Sequence, residues 1–227
     1  MKKIGKDVKV GDVVGSVFKG IVSAAEGAVS PIPVLILSPL MQAVADIKGN
    51  ALKRRYEKWQ GEIDNRLGKL EDDVRQNLGD NDAFATTLIK ATELAMQTNT
   101  IKSQYLANGV KYAAEHQIDE DSLILLLNDI AKYTTSHFKV LVYMQSPAKY
   151  KDGQTYFSGS IMTYFENSYP SFDKKRAELI LNDLYRDGLI DTNSNGMVSS
   201  SGMEAKRTTE LGDLCISFFG VKKEDYE

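Results

Sequence analysis

The sequence predicts a mainly α protein, in which a helical N-terminal bundle precedes a compact C-terminal module carrying one small β-hairpin. Three observations point there. Apolar residues recur at three and four spacing from Leu52 to Val74, from Phe84 to Ala95 and from Ala177 to Leu184, the period of helices with one buried face. Breaks separate these runs at Leu78-Gly79-Asp80-Asn81-Asp82, Ser146-Pro147 and Tyr169-Pro170. Hairpin chemistry is concentrated in one place, where Asn193-Ser194-Asn195-Gly196 lies between Leu189-Ile190 and Lys206 to Thr209.

A chain of 227 residues holds one large domain or two small ones, and either can bury a core. The formal net charge of -3 gives no global electrostatic case for nucleic acid or an anionic membrane, so such binding needs a local patch. The single Cys215 excludes an intramolecular disulfide and fits a reducing, cytoplasmic compartment. Its neighbours Leu214, Ile216, Phe218 and Phe219 predict a small buried hydrophobe, with no basic group beside it to stabilise a thiolate. Lys2, Lys3, Lys6 and Lys9 make a basic start, but Asp12, Lys19 and Glu26 interrupt the apolar stretch after it, unlike a secretory signal. A spanning helix needs about 20 mostly uncharged apolar residues, and no window supplies them.

The first expected segment is 1–49. Val10 to Val29 predicts a largely apolar helix with Asp12, Ser16, Lys19, Ser23, Glu26 and Ser30 as a narrow polar stripe. Ser16, Gly20, Ala24 and Ala28 form a small-residue row at every fourth position, a face another helix can approach closely. Core packing, self-association and contact with a membrane surface all stay open for it. Pro31 and Pro33 then keep Ser30 to Pro39 from forming a regular helix.

The second expected segment, 50–132, is the bundle. A long helix is predicted from Leu40 towards Leu78, with Gly61 and Gly68 as weak points. Near its start Lys48, Lys53, Arg54, Arg55 and Lys58 make a basic cluster, either an anionic-membrane contact or a solvated face balanced by Glu57 and Glu62. Asp82 is the expected N-cap of a helix from Ala83 to Thr98. Another helix runs from Thr100 to His116. Asp119-Glu120-Asp121-Ser122 caps the next, whose Leu123 to Leu127 run is apolar all round and is expected to be central.

The third expected segment is 133–221, followed by an acidic tail at 222–227. Thr134-Thr135-Ser136 caps a helix that buries Phe138, Leu141 and Val142. A turn-rich linker spans Tyr150 to Thr155, and a short helix spans Ser160 to Asn167. Ser171 or Asp173 caps the next helix, and Gly188 sits where its C-terminus requires a left-handed residue. Leu189-Ile190 and Lys206 to Thr209 are the expected hairpin strands. Leu211, Leu214, Cys215 and Phe218 open the closing helix.

The order helix, helix, helix, hairpin, helix from Tyr133 to Val221 resembles a winged-helix domain. The most specific part is Leu184-x-x-x-Gly188-Leu189-Ile190 before the hairpin and Thr209-x-x-Gly212 after it. The resemblance implies duplex DNA as a ligand, with Lys174, Lys175 and Arg176 on the third helix and Lys206 and Arg207 on the wing. Charge argues against it, since Asp173, Glu178, Asp183 and Asp187 balance Lys174, Lys175, Arg176 and Arg186. The chain as a whole also resembles Abi-alpha-like proteins of bacterial abortive infection. The shared residues are Ala51-Leu52-Lys53-Arg54-Arg55-Tyr56, Phe84 to Thr98, and Ser136-His137-Phe138-Lys139-Val140-Leu141. That resemblance implies a bacterial or prophage protein acting in phage defence, and it carries over no functional residue.

Enzyme chemistry is not expected. With His116, His137 and one apolar Cys215, no His/Cys metal site can be assembled. Gly11-x-x-x-Gly15 is neither a phosphate loop nor a dinucleotide fingerprint, and Gly-x-Ser-x-Gly is absent. No cofactor and no small-molecule substrate are expected. The sequence therefore predicts a non-enzymatic interaction protein whose partner is protein, its own copy or a membrane surface, with a DNA-binding regulator and a structural assembly subunit as rival readings.

Overall fold

The computed structural model describes residues 50–71, 74, 78, 81–98, 100–147 and 158–222. The apolar segment 1–49, with Ser16, Gly20, Ala24, Ala28 and Lys48, lies outside the described residues, as do the linker from Tyr150 to Thr155 and the tail beyond Lys222. The chain is mainly helical and divides into two compact units between Ala131 and Lys132. Among the described residues, no helix is long and apolar enough to cross a membrane.

The first unit contains α1 (Asn50–Leu67), α2 (Asp82–Gln97), α3 (Thr100–Glu115) and α4 (Glu120–Lys132). Helices α2 and α3 pack together, and α1 lies against both. Tyr56, Trp59, Ile63 and Leu67 line the buried stripe of α1, facing Phe84, Leu88, Ala91 and Ala95 of α2 in the same core. Burying each large apolar side chain contributes about 1.5–3 kcal/mol. The indole of Trp59 satisfies its one donor on Thr92 Oγ1 at 3.1 Å, and the Thr92 hydroxyl in turn donates to the Leu88 carbonyl at 2.7 Å.

Three expectations for this unit need correction. Helix α1 ends at Leu67, not near Leu78: beyond Gly68 the bonds tighten to Lys69 N–H on Arg66 O at 3.3 Å and Leu70 N–H on Leu67 O at 3.1 Å. Gly68 lowers the gain from continuing the helix, yet Leu70 and Leu78 still reach the core from outside it. The N-cap of α2 is Asn81, not Asp82. Asn81 Oδ1 accepts from Phe84 N–H at 2.8 Å while its Nδ2 donates to Ala113 O at 3.0 Å, and an Asp carboxylate has no proton for the second bond. Helix α4 is not central. Leu123, Leu126, Leu127 and Ile130 are buried, but Ile124 is 46% and Leu125 50% exposed, so it has one apolar face and one wet one.

The second unit contains α5 (Thr135–Gln145), β1 (Ser158–Ser160), α6 (Ile161–Ser168), α7 (Lys174–Arg186), β2 (Met197–Ser199), α8 (Ser200–Glu204) and α9 (Glu210–Phe219). Helices α7 and α9 both pack on α5, and α6 joins α7. Phe138, Leu141, Phe165, Ala177, Ile180, Leu181, Leu184 and Phe218 are buried, as is Cys215. Side-chain caps fix the helix starts: Ser160 accepts from Thr163 N–H, Asp173 from Arg176 N–H, Ser199 from Gly202 N–H and Thr209 from Gly212 N–H. Of the two expected caps for α7, Asp173 is the one used.

The expected hairpin is also redrawn. Ile190 and Thr208 face each other in a single antiparallel bridge, not in a pair of strands. The strand after the turn, β2, pairs antiparallel with β1, with Gly159 opposite Val198. Ser199 then caps the short α8, which takes the place of a directly returning strand. The Asn193–Gly196 turn closes through Gly196 N–H on Asn193 O at 3.1 Å and Asn195 N–H on Asn193 Oδ1 at 3.0 Å. Asn and Gly tolerate positive φ, but none of these turn residues adopts it. Gly196 is needed for closeness: an added Cβ would lie 2.2 Å from Thr192 Oγ1.

Candidate functional site

The two motifs singled out in the sequence meet at the end of α7. Gly188 takes φ 75°, and the helix closes with Gly188 N–H on Tyr185 O at 3.0 Å and Leu189 N–H on Leu184 O at 2.9 Å, the paired bonds of a glycine-terminated helix. Thr209 Oγ1 donates to the Gly188 carbonyl at 2.6 Å, and the Thr209 N–H donates to Leu189 O at 3.1 Å. One residue therefore caps α9 and ties it to the end of α7. Gly212 completes the junction, because a Cβ there would stand 2.1 Å from Leu189 O.

Of the candidate cations, Lys174, Lys175 and Arg176 stand at the opposite end of α7 from this junction, and several of the set make surface ion pairs or hydrogen bonds within the unit. Lys174 pairs with Glu166 at 3.1 Å. Lys206 pairs with Asp213, which also accepts from Thr208 Oγ1 at 2.6 Å and Gln145 Nε2 at 3.3 Å. Burial pushes the Asp213 carboxyl up, but the hydrogen bonds from Lys206, Thr208 and Gln145 outweigh it and hold it below the usual carboxylate range. Arg207 turns inward to the Gly202 carbonyl through Nε at 3.1 Å, and its Nη1 lies 3.6 Å from Asp191. Arg186 donates to Asp183 at 2.8 Å. Lys175 and Arg176 remain exposed on the first turn of α7, engaged by no carboxylate among the described residues. Of the five residues expected at a nucleic-acid surface, Lys174, Lys206 and Arg207 thus have partners within the unit and Lys175 and Arg176 are exposed.

The outward side of α7 is instead partly apolar. Leu179 is 67% and Tyr185 47% exposed. In the first unit, Arg54 and Lys58 stand exposed on α1, whereas Arg55 donates from Nη1 to the Met96 carbonyl at 2.9 Å. The Lys53 side chain lies outside the described residues. The described members of that basic cluster, Arg54, Arg55 and Lys58, are thus all exposed on α1, and Arg55 also bonds to α2.

A cluster that sequence inspection missed lies between the start of the second unit and α7. Asp187 accepts from Tyr133 Oη and from Lys132 Nζ, each at 2.6 Å, and lies 3.6 Å from Arg186 Nε. Burial again pushes this carboxyl up, and the bonds from Lys132 and Tyr133 outweigh it and hold it below the usual range. One turn earlier, Asp183 Oδ2 lies 3.5 Å from His137 Nε2. Asp183 and Asp187 at four spacing signal a shared acidic face of the helix, but nothing local names its partners. Among the described residues no three His, Cys, Asp or Glu side chains gather to hold a metal ion. No protein-family model, curated protein or solved structure matches the chain.

Proposed function

We propose that the chain is a non-enzymatic interaction protein that self-associates, built from an N-terminal helical bundle and a winged-helix-like C-terminal unit that contacts protein, not duplex DNA. The observation that carries this reading is the pairing of Lys174, Lys206, Arg207 and Arg186 with groups of their own unit while Leu179 and Tyr185 stay exposed on α7. A duplex reader draws most of its affinity from cations free to meet phosphates. Here the wing-side pair is committed to Asp213 and to Gly202 and Asp191. Exposed Leu and Tyr on a helix are groups that a protein partner buries. The small-residue row Ser16, Gly20, Ala24 and Ala28 is a second self-association element in this proposal, and Arg54 and Lys58 are its candidate anionic-surface contacts. The Abi-alpha-like resemblance supplies the setting, phage defence in a bacterial cytoplasm.

The test is sedimentation velocity of the full chain beside Leu179→Glu and Tyr185→Glu. The proposal expects an oligomer whose mass falls in the variants while their helical content is unchanged. The DNA-binding rival expects salt-sensitive duplex binding that is lost in Lys175→Ala with Arg176→Ala. A monomer at all concentrations, with such duplex binding, overturns the proposal.

A further inference from the structure

We propose that Asn195 is a spontaneous modification site, where the side-chain amide is lost as ammonia and the isoaspartate product unseats the start of β2. The chemistry is that of an asparagine followed by glycine. The backbone nitrogen of the glycine gives up its proton to hydroxide and attacks the Asn Cγ. The bond from Cγ to the side-chain nitrogen breaks, ammonia leaves with a proton from water, and a five-membered succinimide remains. Water then opens that ring at either carbonyl, giving aspartate or an isoaspartate whose backbone runs through the side chain. Glycine permits the attack because it has no Cβ to crowd the approach. The chain has two such pairs, Asn108-Gly109 and Asn195-Gly196, and the fold treats them differently.

Asn108 lies inside α3, where the helical ladder engages the Gly109 N–H one turn back, and Gly109 is buried. Its Oδ1 also accepts from Arg66 Nε on α1 at 2.8 Å. Cyclisation there requires α3 to open. Asn195 stands at the tip of the turn before β2. It is exposed, and no group among the described residues holds its carboxamide. Its neighbours do the anchoring: Ser194 donates from N and Oγ to Asn182 Oδ1 on α7 at 3.3 and 3.0 Å. The attacking nitrogen is tied by a single bond, Gly196 N–H on Asn193 O at 3.1 Å. Opening one turn bond at the surface takes far less free energy than opening a packed helix.

The room around Gly196 sets the consequence. Isoaspartate adds one atom to the backbone just before Gly196, which already sits too close to the buried Thr192 side chain to accept a Cβ. On its other side Gly196 O accepts the Ile161 N–H at 3.3 Å, and Met197 follows opposite Ser160 in the β1–β2 pair. The extra atom therefore opens the turn bond and displaces the first residues of β2 from β1. Aspartate, the other product, adds a charge at an exposed tip and leaves the backbone length unchanged.

The experiment incubates the full chain in mildly alkaline buffer, folded and in urea, until the urea sample has converted, and maps its peptides by mass spectrometry with an isoaspartate-specific assay. In the folded chain, conversion is expected at Asn195 with Asn108 spared, whereas in urea both convert. Asn195→Gln, whose longer side chain closes a ring less readily, is expected to lose the folded-state conversion. Amide hydrogen exchange then compares the isoaspartate fraction with freshly purified Asn195→Asp. Ile161 is expected to lose protection in the first and to keep it in the second. Conversion of Asn108 as fast as Asn195 in the folded chain, no conversion of Asn195 before unfolding, or equal Ile161 protection in the two samples overturns the proposal.

Discussion

At the scale of single residues, Gly212 is set by a carbonyl. An added methyl would sit 2.1 Å from Leu189 O and 3.3 Å from Thr208 Cβ, and neither backbone nor bridge can retreat without moving the end of α7. Gly212→Ala is expected to destabilise the second unit by about 1–3 kcal/mol, read as a lower urea midpoint; an unchanged midpoint would show the junction to be loose. Asp187 and Asp213, both held below the usual carboxylate range, add stability above pH ~4 that is lost as pH falls through their folded values. Asp187→Asn is accordingly expected to flatten the acid limb of an unfolding curve, and a limb of the same steepness would contradict the assignment. The Thr209-x-x-Gly212 pattern was legible in the sequence. Its reason was not, because Leu189 approaches only after two helices have packed.

At the scale of elements, the helices with one apolar face were readable, and Phe84, Leu88, Ala91 and Ala95 on α2 and Ala177, Ile180, Leu181 and Leu184 on α7 are all buried. Their ends were harder. Asn81 beats Asp82 as a cap because its amide also meets Ala113 O, a bond made by another helix. The strand pairing was illegible for a related reason: turn residues at Asn193 to Gly196 announce a reversal but do not say that β2 will pair with β1, from a distant part of the sequence. Gly61 gives the element its cleanest test. It lies inside α1, and an added Cβ would meet nothing within 4 Å. Gly61→Ala should stabilise the first unit by about 0.5–1 kcal/mol, seen as a higher thermal midpoint, and a lower midpoint would mean that the helix is interrupted there.

At the scale of the whole molecule, the sequence's charge balance does not say which cations are engaged. Lys206 with Asp213, Lys174 with Glu166 and Lys132 with Asp187 join residues on different elements or across a turn, and such pairings depend on the packed fold. They leave Lys175, Arg176, Leu179 and Tyr185 outward on α7. Liposome co-sedimentation with anionic lipid extends the test to the first unit: Arg54→Glu with Lys58→Glu is expected to weaken any binding, and equal binding would remove these residues from a membrane role. The most direct measurement is sedimentation velocity of the full chain with a fluorescent DNA duplex in the same cell, at low and at moderate salt. The account predicts that the protein sediments as an oligomer while the duplex stays free at both salts. A duplex that travels with the protein at low salt and is released as salt rises would contradict it, and would make α7 a DNA-reading helix.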